Sequence, residues 1–129
     1  MKNKVMVDTS VWIEFFKAKS ITGDKLETLL VENSVWTCGI VMFELLQGVK
    51  SEPEKLRILD KLSSLPYIEM TNILWQKSAE LSIFLKKEGL NLPLSDIFIS
   101  AIAIKNNLSI FTIDKHFGHI PDLQLYQPL

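Results

Sequence analysis

The stretch VMVDTSVW, residues 5–12, decides how this chain is read. Val5, Met6 and Val7 make a short apolar run of the kind that forms a buried strand, and Asp8 ends it. A carboxylate is rarely buried unless it is paired or faces a cation. Thr9 and Ser10 follow at once, and then SVWIEFFKAK (10–19) takes up helical spacing. Ser10 is its candidate cap, with Trp12, Phe15 and Phe16 on or near one face. The rest of the chain has to supply the partners of Asp8.

Working outward, a break at Gly23-Asp24 precedes KLETLLVE (25–32), where Leu26, Leu29 and Leu30 mark a second amphipathic helix. SVWTCG (34–39) reads as a second strand closed by Gly39, and IVMFELLQG (40–48) as a helix stopped by Gly48. EPEKLRILDKLSSL (52–65) has Pro53 in its first turn and leucines on helical spacing. PYIEM (66–70) is a brief third strand. A long helix follows over 71–89, capped by Thr71 and ended by Gly89. SDIFISAIAIKNN (95–107) is another helix, LSIFTID (108–114) a fourth strand, and LQLY (123–126) a fifth. Strands separated by helices predict an α/β protein, a three-layer α/β/α sandwich around a central, mostly parallel sheet.

The 129 residues, 47% hydrophobic and 22% charged, suit one globular domain spanning 1–129 and exclude a disordered chain. Cys38 is the only cysteine, which excludes an intramolecular disulfide and a cysteine-rich zinc site; it reads as a buried small residue. The start, MKNKVMVDTSVWIEFF, imitates a secretory leader, yet Asp8 and Glu14 interrupt it and no small-residue cleavage site follows. No segment reaches the roughly 18 apolar residues of a membrane span. A cytoplasmic protein with no membrane segment is expected. The net charge of −1 is far from the basic excess of a protein that holds nucleic acid by surface charge. Binding of that kind would need a metal or a local basic patch.

Ligands gather at the C-terminal ends of parallel strands. Asp8 ends the first strand and Asp114 ends IFTID, the same situation a hundred residues later. Two more acids stand in apolar helices: Glu44 among Val41, Met42, Phe43, Leu45 and Leu46, and Asp96 before Ile97, Phe98 and Ile99. Each has an ordinary alternative, since Asp8 and Asp96 could cap helices and Asp114 could start a turn. Glu44 has the weakest such alternative. Converging carboxylates repel, and one protonates unless a cation neutralises the group. Oxygen ligands without cysteine or histidine favour Mg²⁺ or Mn²⁺ over zinc, and such a centre suits phosphodiester hydrolysis.

Taken in order, VDTSVW, IVMFELLQG, LPLSDIFISAIA and IFTIDKHF resemble the four signature segments of PIN-domain nucleases. In a chain this short, their spacing most resembles the VapC-type toxins of toxin–antitoxin pairs. The resemblance runs from Val5 to Leu125. It implies a Mg²⁺-dependent endoribonuclease, with Mn²⁺ able to substitute, whose acidic quartet is Asp8, Glu44, Asp96 and Asp114. Asp8 and Asp96 would be the firmest metal ligands, Glu44 and Asp114 would complete or orient the shell, and Ser10 and Thr112 would support it. Ser100 stands where a small apolar residue is common. The resemblance further implies an RNA substrate, a cognate antitoxin that covers the site, and a symmetric homodimer; the long helices at 71–88 and 95–106 are candidates for part of its interface.

Other residues read as ordinary. His116 and His119 lack a third strong ligand nearby and are given structural or surface roles. Trp12, Trp36 and Trp75 suit a core or an interface better than base stacking, and Lys86, Lys87 and Lys115 suit solvent. A receiver domain wants an acidic pair after the first strand and a lysine ending the last; neither is present. A haloacid-type phosphatase wants Asp-x-Asp, and position 10 is Ser. The remaining alternatives are a PIN nuclease outside any toxin–antitoxin pair and a non-catalytic module that only holds a metal.

Overall fold

Val5, Met6 and Val7 form strand β1 (Val5–Val7), and all three are fully buried. A strand covered on both faces shows continuous burial instead of alternation, the mark of a central position in a parallel sheet. The computed structural model, which describes residues 3–17 and 19–127, places β1 in that position. Met1, Lys2, Ala18, Pro128 and Leu129 lie outside the described residues, so the start of the leader-like segment and one position of the helix expected over 10–19 do too.

Along the chain, β1 is followed by α1 (Thr9–Phe16), α2 (Ile21–Val31), β2 (Val35–Cys38), α3 (Gly39–Gln47), α4 (Glu52–Ser63) and β3 (Tyr67–Ile68). Then come α5 (Asn72–Lys87), α6 (Leu94–Lys105), β4 (Ser109–Phe111), a 3-10 turn (Lys115–His119) and β5 (Gln124–Leu125). The sheet order is β3-β2-β1-β4-β5 and every pairing is parallel. Val5 stands opposite both Val35 and Ser109, and Val7 opposite Phe111. With its helices the sheet makes the expected three-layer α/β/α architecture. The chain winds outward from β1 through β2 to β3, then returns to lay β4 against the other side of β1. That reversal is a topological switch point, where the strand ends open a crevice. Among the described residues no helix is long and apolar enough to cross a membrane.

Helix ends follow local chemistry closely. Ser51 caps α4, with Pro53 in the first turn, and the Thr71 hydroxyl accepts from Leu74 N–H at 3.2 Å to cap α5. Gly89 follows α5 at φ +75°, a left-handed conformation that glycine, without a Cβ, adopts at least cost. Three expectations need correcting. Gly23-Asp24 is not a break: Ser20 caps α2 by accepting from Gly23 N–H at 3.0 Å, and both residues lie inside the helix. A Cβ at Gly23 would stand 3.3 Å from Phe15 Cα, so glycine serves close helix packing there. Helix α1 begins at Thr9, which puts Asp8, not Ser10, in the cap position. The fourth strand stops at Phe111, because Thr112 and Asp114 bond to each other's neighbourhood and turn the chain into the 3-10 segment.

The core gathers β1, Trp12, Leu26, Leu29, Ile99, Ile102 and Ile110, with Cys38 buried among them. Trp12 stacks on Phe16 and meets Phe15 edge-on, each with ring centres 5.7 Å away. Trp36 is half-buried, whereas Trp75 is exposed and packs edge-on against Phe98 at 5.2 Å.

Candidate active site

Asp8 leaves β1 with its amide still in the sheet, donating to Phe111 O at 2.9 Å. The strand therefore delivers its carboxylate directly into the crevice between β1 and β4, where it is only 4% exposed. It occupies the cap position of α1 yet makes no side-chain capping bond. Its Oδ2 accepts two hydroxyls instead, from Ser10 at 2.6 Å and from Thr112 at 2.9 Å. Burial raises the Asp8 pKa, and these hydroxyls together with nearby backbone amides oppose the rise. Thr112 also accepts from Asp114 N–H at 2.9 Å. One hydroxyl thus links Asp8 at the end of β1 to Asp114 at the start of the 3-10 turn.

Asp96 enters from the first turn of α6 and is 7% exposed. Its pKa is raised to about 6, first by burial and then by the charges of Asp8 and Asp114, with His116 pulling the other way. The charges of Asp8 and Asp114 therefore both reach Asp96. Glu44, on α3, is half-buried and accepts from the Thr9 hydroxyl at 2.7 Å. That bond ties it to the residue next to Asp8. Two grooves meet at Glu44: one of about 280 Å³ includes Ile13, Phe16, Leu45 and Arg57, and one of about 340 Å³ includes Phe43, Ser95 and Phe98.

His116 departs from its expected surface role. Its side chain is half exposed, but Nδ1 lies 2.9 Å from Asp114 Oδ1 and 3.3 Å from Asp96 Oδ2. Asp114 caps the 3-10 turn by accepting from His116 N–H at 3.3 Å, which holds the ring above the acids. The signal available beforehand was the Asp-x-His spacing after the fourth strand. Nothing in the local sequence marks Thr9 as the partner of Glu44, 35 residues away. His119 stands outside this group and is exposed, as are Lys86, Lys87 and Lys115.

The donor set suits a divalent cation. Crowding that pushes a carboxyl to about 6 is relieved when a cation joins the group. Ligand atoms of Asp96, Asp114 and His116 already lie within 4.8 Å of one another.

A family model described as PIN domain matches residues 5–123. The chain belongs to the PIN domain family. A relative named ribonuclease VapC1, from Methanocaldococcus jannaschii, is 26% identical over 127 residues, 96% of this PIN domain chain and 86% of that protein. A toxin–antitoxin complex from Klebsiella pneumoniae superposes with a TM-score of 0.72 at 26% identity, over 93% of this chain and 95% of that one. DNA-bound VapBC from Salmonella typhimurium gives 0.82 at 20% identity over 96% and 97%, a likeness of fold. The resemblance to VapC-type PIN domains seen in the four segments is met in both sequence and structure.

Proposed function

We propose that this PIN domain is a divalent-metal-dependent endoribonuclease, the VapC-type toxin of a toxin–antitoxin pair. The observation that carries the reading is the gathering of acids at the switch point, where ligand atoms of Asp96, Asp114 and His116 lie within 4.8 Å of one another and Asp8 is buried at the end of β1. Carboxylates crowded in that way are costly in a free protein and suited to a cation. Mg²⁺, or Mn²⁺ in its place, supplies Lewis acidity there, easing deprotonation of water and offsetting charge on a phosphodiester.

The side chains divide the remaining work. Asp8 is oriented by Ser10 and Thr112, whose hydroxyls oppose the rise that burial imposes on it, and it and Asp96 would be the principal metal ligands. Asp114, fixed through Thr112 and the 3-10 turn, completes the shell. Glu44, steadied by Thr9, orients the shell from α3, where the two grooves bring substrate or partner past it. With a net charge of −1, the attraction for an RNA backbone is concentrated at the metal.

The names of the relatives support an antitoxin as partner. The groove of Ile13, Phe16, Leu45, Arg57 and Ile58 is apolar enough to take an amphipathic segment, and an arginine of that partner would enter the acidic cluster. A homodimer and a cytoplasmic location complete the proposal. RNA cleavage by the purified chain should require Mg²⁺ or Mn²⁺ and stop in EDTA, and Asp8→Asn should abolish it. Cleavage that persists in chelator overturns the metal mechanism. Co-purification with the product of an adjacent small gene tests the toxin assignment; a chain that is harmless alone and binds no such partner leaves only the nuclease.

A further inference from the structure

We propose that His116 is a nitrogen ligand of the metal held by Asp96 and Asp114, and that it makes the centre prefer Mn²⁺ to Mg²⁺. The inference rests on the metal-centre reading above and adds to it a donor of a different chemical kind.

Geometry is the first argument. Around a six-coordinate divalent ion with bonds of about 2.1 Å, adjacent donors stand about 3 Å from each other. Nδ1 of His116 is 2.9 Å from Asp114 Oδ1 and 3.3 Å from Asp96 Oδ2. The nitrogen therefore stands where a ligand beside two carboxylate oxygens would stand.

Placement is the second argument. An exposed histidine on a loose loop would sample many orientations, but this one is constrained from both sides. Its own N–H donates to Asp114 Oδ1, and the next residue, Phe117, is buried in the core. The ring is held over the acids by the same turn that positions Asp114. Without a metal, Nδ1 lies between the two carboxylates. As a ligand, a neutral imidazole would offer its Nδ1 lone pair to the ion.

The consequence is selectivity. Mg²⁺ is a hard ion that takes oxygen donors and keeps its waters, whereas an imidazole strengthens binding of transition metals. An all-oxygen set would discriminate less between Mg²⁺ and Mn²⁺ than this mixed one.

The chain has two histidines, so the test is clean with untagged protein. Mn²⁺ is added to wild-type, His116→Ala, His119→Ala and Asp96→Asn proteins, each checked for folding by circular dichroism. Pulsed electron paramagnetic resonance should show an imidazole nitrogen coupled to Mn²⁺ in the wild type and in His119→Ala, and none in His116→Ala. Competition titration should show that His116→Ala loses Mn²⁺ affinity by about tenfold, the scale seen even for groups one shell further from a metal, with a smaller loss for Mg²⁺. Nitrogen coupling that survives in His116→Ala, or an unchanged Mn²⁺ to Mg²⁺ preference, overturns the inference. If Asp96→Asn then abolishes binding of both ions, the metal-centre reading stands without His116. Binding of both ions undiminished in Asp96→Asn overturns that reading and this inference together.

Discussion

The hydroxyl of Thr9 donates to Oε1 of Glu44 at 2.7 Å, joining the first turn of α1 to α3 beside Asp8. This half-buried bond is the fixed point of a glutamate that otherwise faces two grooves. Thr9→Val keeps the shape of the side chain and removes the donor. It should lower the RNA cleavage rate by about tenfold, as expected when a partner that orients a functional group is lost. The stability cost should be only about 1 kcal/mol, the usual worth of one such bond. Thr9→Ser should restore the rate. Single-turnover cleavage and thermal melts of the two variants check this; equal rates in wild type and Thr9→Val would show that Glu44 needs no such anchor.

Ser10 and Thr112 act on the same oxygen of Asp8. Removing either donor leaves burial less opposed, so the Asp8 pKa should climb further and its metal affinity weaken. Ser10→Ala and Thr112→Val should each raise the Mg²⁺ dissociation constant by about tenfold or more. The Thr112 change should do greater harm, because its hydroxyl also receives the Asp114 amide. Isothermal titration of the two variants measures the difference.

Asp96→Asn removes a buried charge that repels two others. Cleavage should be lost, yet in EDTA at neutral pH the variant should melt a few degrees above the wild type, since relief of that repulsion stabilises the free protein. A variant that melts below wild type in EDTA would show that the carboxylate is needed to hold α6 in place.

The pH dependence has a definite sign. Asp96 has a folded pKa of about 6 against an ordinary value of 3.8, so folding favours its protonated form. Its contribution to stability is fully present below pH 3.8 and is lost as pH rises through about 6. Asp8 is shifted in the same direction. The metal-free protein should therefore gain stability on these groups between neutral pH and pH 4, and Asp96→Asn should flatten that slope. Metal binding needs the ionised carboxylates, so Mg²⁺ should stabilise the protein well above pH 6 and progressively less below it. Melting curves across pH, with EDTA and with Mg²⁺, read both slopes.

Much of this protein is written locally. A continuous apolar run before Asp8, leucines on helical spacing, and the caps at Ser51 and Thr71 each express short-range chemistry, and they define an α/β chain without reference to distant residues. The four acids stand out for a similar reason: carboxylates at the ends of apolar runs or within them demand compensation wherever they fold.

What joins those acids was decided by the tertiary structure. Asp8 and Thr112 are 104 residues apart, and their bond exists because β4 lies beside β1 and not at the edge of the sheet. Thr9 meets Glu44 only because α1 packs on α3. His116 sits in a polar, exposed turn, where local pattern assigns it to solvent; the cap made by Asp114 turns its ring back over the acids. Gly23 carries the ordinary mark of a helix break, but close packing on Phe15 makes it part of a helix. Periodicity and capping are properties of neighbours in sequence, whereas strand order and helix contact are settled by burial of the whole core, and the geometry of the acidic centre is set by the latter.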